Sequence, residues 1–296
     1  MSPLLLFLLT MIPGTMLLGF YDVHTKKLLQ KGISEQALLG VGFSGAGLVF
    51  LVALSFFGVP EVAPTFWNTF IFASVLTIFG QFAWYRAFSY EAVSFIAPLR
   101  VLTPVIIIFT GSLFLGEVPS QSGLFGIALT ILGLLLLLGA QGGSFFSSFK
   151  GSLNSPGFLW GMCAVLAFSI SFPLDKKAIL VSSTLFYSTC LYLVTGVASL
   201  MIAFLLNRTK TLEGLREISR NRYTALLWIF FLVTGGFLVN HALNFTLAVY
   251  AASVKRLQAL WSVLLGGAFL NEGHIVGKTF ATLLMLAGVV ITIVFG

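Results

Sequence analysis

Ten apolar stretches, most about twenty residues long, follow one another through this 296-residue chain, and that pattern leaves few folds open. They run over Leu4–Tyr21, Gln36–Phe57, Phe66–Phe88, Val93–Leu115, Gly123–Gly139, Pro156–Leu174, Thr184–Leu206, Thr224–Val249, Tyr250–Leu270 and Val276–Phe295. About twenty such residues span the hydrocarbon core of a bilayer as a helix. Inside lipid every backbone N–H needs an internal partner, so spanning segments are helices or closed barrels. Barrel strands alternate polar and apolar residues, and these runs do not alternate. The expected class is therefore all-α integral membrane, with ten transmembrane helices. Only 8% of the residues are charged, against about 25% in a soluble domain, so most of the surface has to face lipid. Met1–Phe20 lacks a basic region and a small-residue cleavage site, and is read as the first span rather than a removed signal peptide.

The halves repeat. A shift of 155 positions lays Ala97–Arg100 on Ala252–Lys255, Gly111 on Gly266, Glu117 on Glu272 and Gly133 on Gly288. A shorter offset brings Thr25, Lys26 and Lys27 onto Asp175, Lys176 and Lys177. This predicts a first five-helix repeat over 1–140, a linker over 141–155 and a second repeat over 156–296. Five is an odd number, so the second repeat is inverted in the membrane. Inverted repeats build many secondary transporters, with the site at the repeat interface. The segment Asn207–Arg222, with Arg208, Lys210, Arg216, Arg220, Arg222, Glu213 and Glu217, is expected to be a solvated segment or surface helix.

Three basic residues lie inside spans: Arg100, Lys255 and Arg256. A charge at bilayer depth costs at least about 2.5–3.5 kcal/mol and is normally paired or lines a watery cavity. These three point to a polar path and an anionic passenger. The competing reading is a structural ion pair with Asp22, Glu91 or Asp175. On the ninth span Lys255, Gln258 and Ser262 form one polar stripe, and Arg256 is rotated about 100° from it and needs another partner. On the fourth span Arg100, Thr103 and Thr110 form a similar stripe. Pro104 removes the helical hydrogen bond to the Arg100 carbonyl, and a broken helix at a charge is one way to build a midplane site. Entering from opposite faces, Arg100 and Lys255 are each expected about 10 Å deep, in a two-sided cavity or used in sequence. Asn240, His241 and Asn244 are expected on one face of the eighth span, to orient a ligand or to bond between helices. Gln81 and Tyr85, with Trp84 and Phe88, form a stripe that either walls a pocket or packs. Arg86 is read as snorkelling, the 31 phenylalanines as mostly lipid-facing, and Glu117 and Glu272 as structural, pairing with first-span lysines.

Several classes of function have no support. Cys163 and Cys190 both fall in spans and read as small hydrophobes. No phosphate-binding loop, zinc spacing or nucleophile elbow occurs, so neither an enzyme nor a cofactor is expected. The net charge of +7 is concentrated in one loop and the three embedded residues, which gives no stripe for nucleic acid.

Leu115-Gly116-Glu117 followed by Gly123, Gly126 and Gly133, and Leu270-Asn271-Glu272 followed by Gly277 and Gly288, resemble the drug/metabolite transporter superfamily in its ten-helix EamA-type form. The Lys255-Arg256 pair also resembles, more weakly, the sugar-phosphate/phosphate translocator branch, whose members hold a phosphate group with it. The resemblance implies a secondary transporter working by alternating access. With the embedded bases, the expected substrate is a small organic or phosphorylated anion, moved by exchange or proton coupling. The rivals are an exporter of amino acids or hydrophobic compounds, and a lipid-headgroup flippase or membrane partner subunit. Expected partners are the small-molecule substrate and the lipid bilayer, with monomer or homodimer left open. The resemblance places both termini in the cytoplasm. Counting basic residues near loops predicts the reverse. With the N-terminus outside, Lys26, Lys27, Lys31, Arg86, Lys150, Arg208, Lys210, Arg216, Arg220, Arg222 and Lys278 are cytoplasmic, and only Lys176 and Lys177 are not. A bacterial-type plasma membrane is the expected location.

Overall fold

In the computed structural model of the chain, residues 2–96, 99–100, 102–139, 155–270 and 279–294 are described. The helices are α1 (Pro3–Leu29), α2 (Glu35–Phe57), α3 (Thr65–Tyr90), α4 (Val93–Ile96), α5 (Leu102–Leu115), α6 (Gln121–Gly139), α7 (Pro156–Leu180), α8 (Thr184–Arg220), α9 (Arg222–Ala242), α10 (Ala248–Lys255), α11 (Leu257–Leu270) and α12 (Thr279–Val294). Six of them, α1, α2, α3, α7, α8 and α9, are long and apolar enough to cross a membrane by themselves. The other four spans are α4 with α5, α6, α10 with α11, and α12, which completes ten.

Polarity is arranged inside out, as lipid demands. Leu48, Val52, Phe56, Ile71, Val75, Phe109, Leu113 and Leu205 are exposed, while Thr15, Asp22, Ser74, Thr103, Ser169, Thr195, Arg256, Gln258 and Ser262 are buried. Capping is regular where helices start. Ser34, Ser155 and Ser183 accept hydrogen bonds from the amides of Ala37, Phe158 and Phe186, which satisfies N–H groups that a helix leaves free.

The main helix contacts all run between repeats: α2 with α8, α3 with α7, α6 with α12, α1 with α9, α1 with α11, and α5 with α7. Exchanging each span for its counterpart five spans on maps this set onto itself. The α3–α7 contact becomes α9–α1, and α5–α7 becomes α11–α1. The architecture is thus two inverted five-helix repeats interleaved about a pseudo-two-fold axis. Small residues permit the closest approach. Gly126 and Gly288 face each other's carbonyls across α6 and α12, and Gly196 of α8 lies against the Ser44 backbone of α2. Membrane helices gain contact in this way, through small residues that let backbones meet.

One end of the bundle gathers the basic side chains. Lys26 donates to the carbonyls of Phe88 (2.5 Å) and Glu91 (2.8 Å), Arg86 pairs with Glu35 at 3.0 Å, and Lys31 bonds Asn221. Arg86 is therefore ion-paired rather than simply snorkelling, because Glu35 in the first turn of α2 lies beside it. The segment after α8's membrane portion is a surface helix, as its charge pattern predicts. Asn207 breaks the helix (φ −158°, ψ 91°), and its Oδ1 caps the Lys210 amide at 2.9 Å. At the opposite end Lys176 pairs with Glu117 and donates to the Thr246 carbonyl at 2.8 Å. Glu117 thus pairs with a first-span lysine of the other repeat. Asn271, Glu272, Gly277, Lys278 and Lys150 lie outside the described residues.

Candidate functional site

The two interrupted spans carry the embedded charges. Between α4 and α5, Leu99 and Arg100 sit in a 3₁₀ turn. Between α10 and α11 the chain tightens at Arg256, whose amide reaches back to the Ser253 carbonyl at 3.0 Å. The two positions correspond in the repeat, so both breaks fall at the centre of the bundle and bring Arg100, Lys255 and Arg256 to one place.

Each base meets a different environment. Arg100 grips Asp22 of α1 through Nη1 at 2.6 Å and Nη2 at 3.3 Å, and its guanidinium lies 3.9 Å over the Trp84 ring. Asp22 has no solvent exposure. It also accepts from Gln258 at 3.0 Å and Ser262 at 2.7 Å. It accepts four hydrogen bonds in all, which offset the cost of burying the carboxylate. Arg256 donates through Nη1 to the Arg100 carbonyl and to Thr103 Oγ1 (3.2 Å), and through Nε to the Ala252 carbonyl (2.9 Å). The carbonyl it reaches is the one that Pro104 leaves without a helical partner. Lys255 differs from both. Among the described residues it makes no hydrogen bond and no ion pair, and its Nζ lies 4.9 Å from the Phe172 ring centroid.

All three bases line a single cavity of about 120 Å³. Thr77 and Gln81 of α3, Ser171 and Asp175 of α7, Asn240 of α9 and Gln258 of α11 supply its other polar groups. Tyr21, Phe43, Phe168, Phe172 and Tyr192 supply an aromatic wall. Asp175 accepts from Tyr187 at 2.5 Å. Arg100 and Lys255, expected in a two-sided cavity or used in sequence, line the same cavity, each beside the break in its span.

The remaining candidates divide. Gln81, Asn240 and Gln258 line the cavity. Asn240 also donates to Ser188 at 3.2 Å. Tyr85 is fully buried and bonded to Tyr21, so that part of the α3 stripe packs. His241 and Asn244 both reach Thr184, one turn of α8 from the Ser188 that Asn240 meets, and neither lines the cavity; Asn244 lies past the end of α9 at Ala242. Asn244 donates to Thr184 at 2.9 Å, and His241 lies between Phe237 and Phe245. Asn244 instead lines a separate surface recess with Lys176 and Tyr250. Sequence reasoning missed Thr77, Ser171 and the aromatic wall. Phe43, Phe168 and Phe172 look like any lipid-facing phenylalanine in a sequence this rich in them.

Comparison with known proteins gives the family. The model of the EamA-like transporter family matches twice, over residues 4–139 and 155–294. No curated protein matches the chain. Among solved structures, 28 chains match. One, described as "Crystal structure of protein", aligns with a TM-score of 0.63 and 14% sequence identity, covering 95% of this chain and 96% of that one. At that identity the likeness is one of fold. A multi-pass helical protein of the bilayer, built as two such repeats around a polar chamber, moves a small molecule across the membrane: the chain belongs to the EamA-like transporter family.

Proposed function

We propose that the protein carries a small organic or phosphorylated anion across the membrane by alternating access, through exchange or proton coupling. The observation that carries this reading is Lys255. Of the three embedded bases, Arg100 is bonded to Asp22 and Arg256 to a carbonyl and a hydroxyl, whereas Lys255 faces the cavity with neither kind of partner among the described residues. A cation at this depth is normally paired; here the transported anion completes the pair. Asn240, Gln81 and Gln258 offer amides to orient the rest of the molecule. A cavity of about 120 Å³ is small against the roughly 300–1,000 Å³ of drug-sized sites, which favours a compact solute.

Pseudo-symmetry supplies the mechanism. Arg100 of the first repeat corresponds to Lys255 of the second, and each faces a carboxylate on the first helix of its own repeat, Asp22 on α1 and Asp175 on α7, placed about one turn apart in the repeat alignment. The first pair is closed at 2.6 Å, and the second is open beyond ion-pair distance. Inverted repeats that trade conformations trade this asymmetry as well. In the opposite-facing state Lys255 closes on Asp175 and releases the anion, while Arg100 parts from Asp22. The two bases are used in turn, each released by the closing of its own carboxylate.

The test is thermal stability of the purified protein against phosphate, sugar phosphates, carboxylates, neutral amino acids and cationic drugs. A ligand specific to the folded state stabilises by about 2.7 kcal/mol at a hundredfold excess over Kd. Stabilisation by phosphorylated or carboxylated compounds that disappears in Lys255→Ala is the expected result. Stabilisation by neutral or cationic compounds alone would sink the anion reading. It would favour the second reading, export of amino acids or hydrophobic compounds, which draws on Asp175 and the aromatic wall of the same cavity.

A further inference from the structure

The surface helix that begins after Asn207 plays no part in the chamber, yet it holds the densest charge in the molecule. Arg208, Lys210, Arg216 and Arg220 stand against Glu213 and Glu217, four cations to two anions, and Arg222 follows at the start of α9. Thr211, Gly214 and Ile218 are buried and hold the helix to the bundle. Arg208, Lys210, Arg216 and Arg220 are on the exposed side. With Lys31, just past the end of α1, Lys210, Arg216 and Arg220 line an open groove of about 560 Å³, four cations to the two carboxylates of Glu213 and Glu217 on the same groove.

The position of this helix matters as much as its charge. It leaves the membrane portion of α8 directly after Leu205 and Leu206, which are 84% and 69% exposed, and it leads into Tyr223, 73% exposed at the start of α9. Exposed leucines followed at once by cations, then a tyrosine, describe the boundary between acyl chains and headgroups. The acidic groups do not cancel the field. Glu217 Oε1 accepts from Asn221 at 2.7 Å, and its Oε2 lies 3.7 Å from Arg220 Nη1; Glu213 shares the groove, but among the described residues Arg208, Lys210 and Arg216 have no carboxylate within ion-pair distance.

We propose that this platform binds anionic phospholipid headgroups, with the groove between the helix and Lys31 seating the phosphodiester. Guanidinium forks match phosphate oxygens in pairs, and basic segments beside a membrane are drawn to anionic leaflets, with each cation worth about fivefold in lipid partition.

The experiment uses the full chain in nanodiscs of phosphatidylcholine with increasing phosphatidylglycerol, read by melting temperature and by the lipid retained on mild detergent extraction. The wild type is expected to melt higher and retain phosphatidylglycerol as its fraction rises, with the gain fading in high salt. The variant R208Q/K210Q/R216Q/R220Q should lose the response, whereas R208K/R216K/R220K, which keeps the charge, should retain most of it. If the glutamine variant does not fold, the single variants K210Q and R216Q at exposed groove positions carry the test, each expected to lose part of the response, and an unchanged response in both overturns the proposal. Equal responses from wild type and the glutamine variant overturn the proposal. So does a response that inorganic phosphate reproduces in pure phosphatidylcholine, since that marks a soluble-phosphate site. These readouts do not depend on transport, so they stand or fall apart from the anion-carrier reading.

Discussion

Replacing Arg100 and Lys255 one at a time by alanine separates the two kinds of embedded charge. In Arg100→Ala, Asp22 stays in place at zero exposure with only Gln258 and Ser262 as donors. Breaking a buried pair from one side costs about 3–5 kcal/mol, because the remaining charge has no counterion. Loss of the contact with Trp84 adds about 0.5–2 kcal/mol. Lys255→Ala removes no hydrogen bond or ion pair seen among the described residues. It removes the contact with Phe172, worth about 1 kcal/mol, and a longer-range attraction to Asp175. The two variants should therefore differ by at least about 2 kcal/mol, with Arg100→Ala the less stable, while Lys255→Ala is the one that abolishes ligand-dependent stabilisation. Unfolding in mixed micelles followed by tryptophan fluorescence measures the difference, and adding Asp22→Ala to Arg100→Ala closes a double-mutant cycle on the pair. If Lys255→Ala is as destabilising as Arg100→Ala, Lys255 has a structural partner and the reasoning fails.

Arg256→Ala leaves the Arg100 carbonyl buried without a donor, at a cost of about 1–3 kcal/mol. Adding Pro104→Ala restores a backbone N–H one turn on and should recover part of that loss; no recovery in the melting temperature would mean that Arg256 does not act through this carbonyl. Glu117→Gln weakens both its pairing with Lys176 and its hold on the Ala248 amide at 2.6 Å. It should lower stability by about 2–3 kcal/mol, and an unchanged thermal midpoint would contradict the contact. Gly196→Leu forces a side chain into the backbone of Ser44 and should prevent correct packing of α2 on α8, read as aggregation on size-exclusion chromatography. A monodisperse Gly196→Leu protein would show that the approach is looser than described.

The spans were legible because lipid imposes a length and a composition that no packing preference overrides. The repeat was legible because charges in apolar helices are rare enough for their coincidence to register. Pro104 pointed correctly to a freed carbonyl, but not to Arg256 as the group that fills it, since that contact joins residues 156 positions apart. Counting residues from the helix ends treated both spans as unbroken, so it did not show that Arg100 and Lys255 line the same cavity beside the two breaks. Placing Asn244 with Asn240 assumed that α9 continued, and nothing between Ala242 and Phe245 forbids helix locally. The aromatic wall could not have been separated from lipid-facing rings by spacing alone.

Because the main contacts of each helix lie with the other repeat, the first five helices have few of their final neighbours when they leave the ribosome. They must wait in the bilayer as a loose, incompletely packed set until the second five are inserted, so this protein cannot mature half by half. Assembly is a single late event, and a chain that stalls after α6 presents quality-control proteases with helices whose close-packing faces, at Gly14 and Gly42 among others, have nothing to meet.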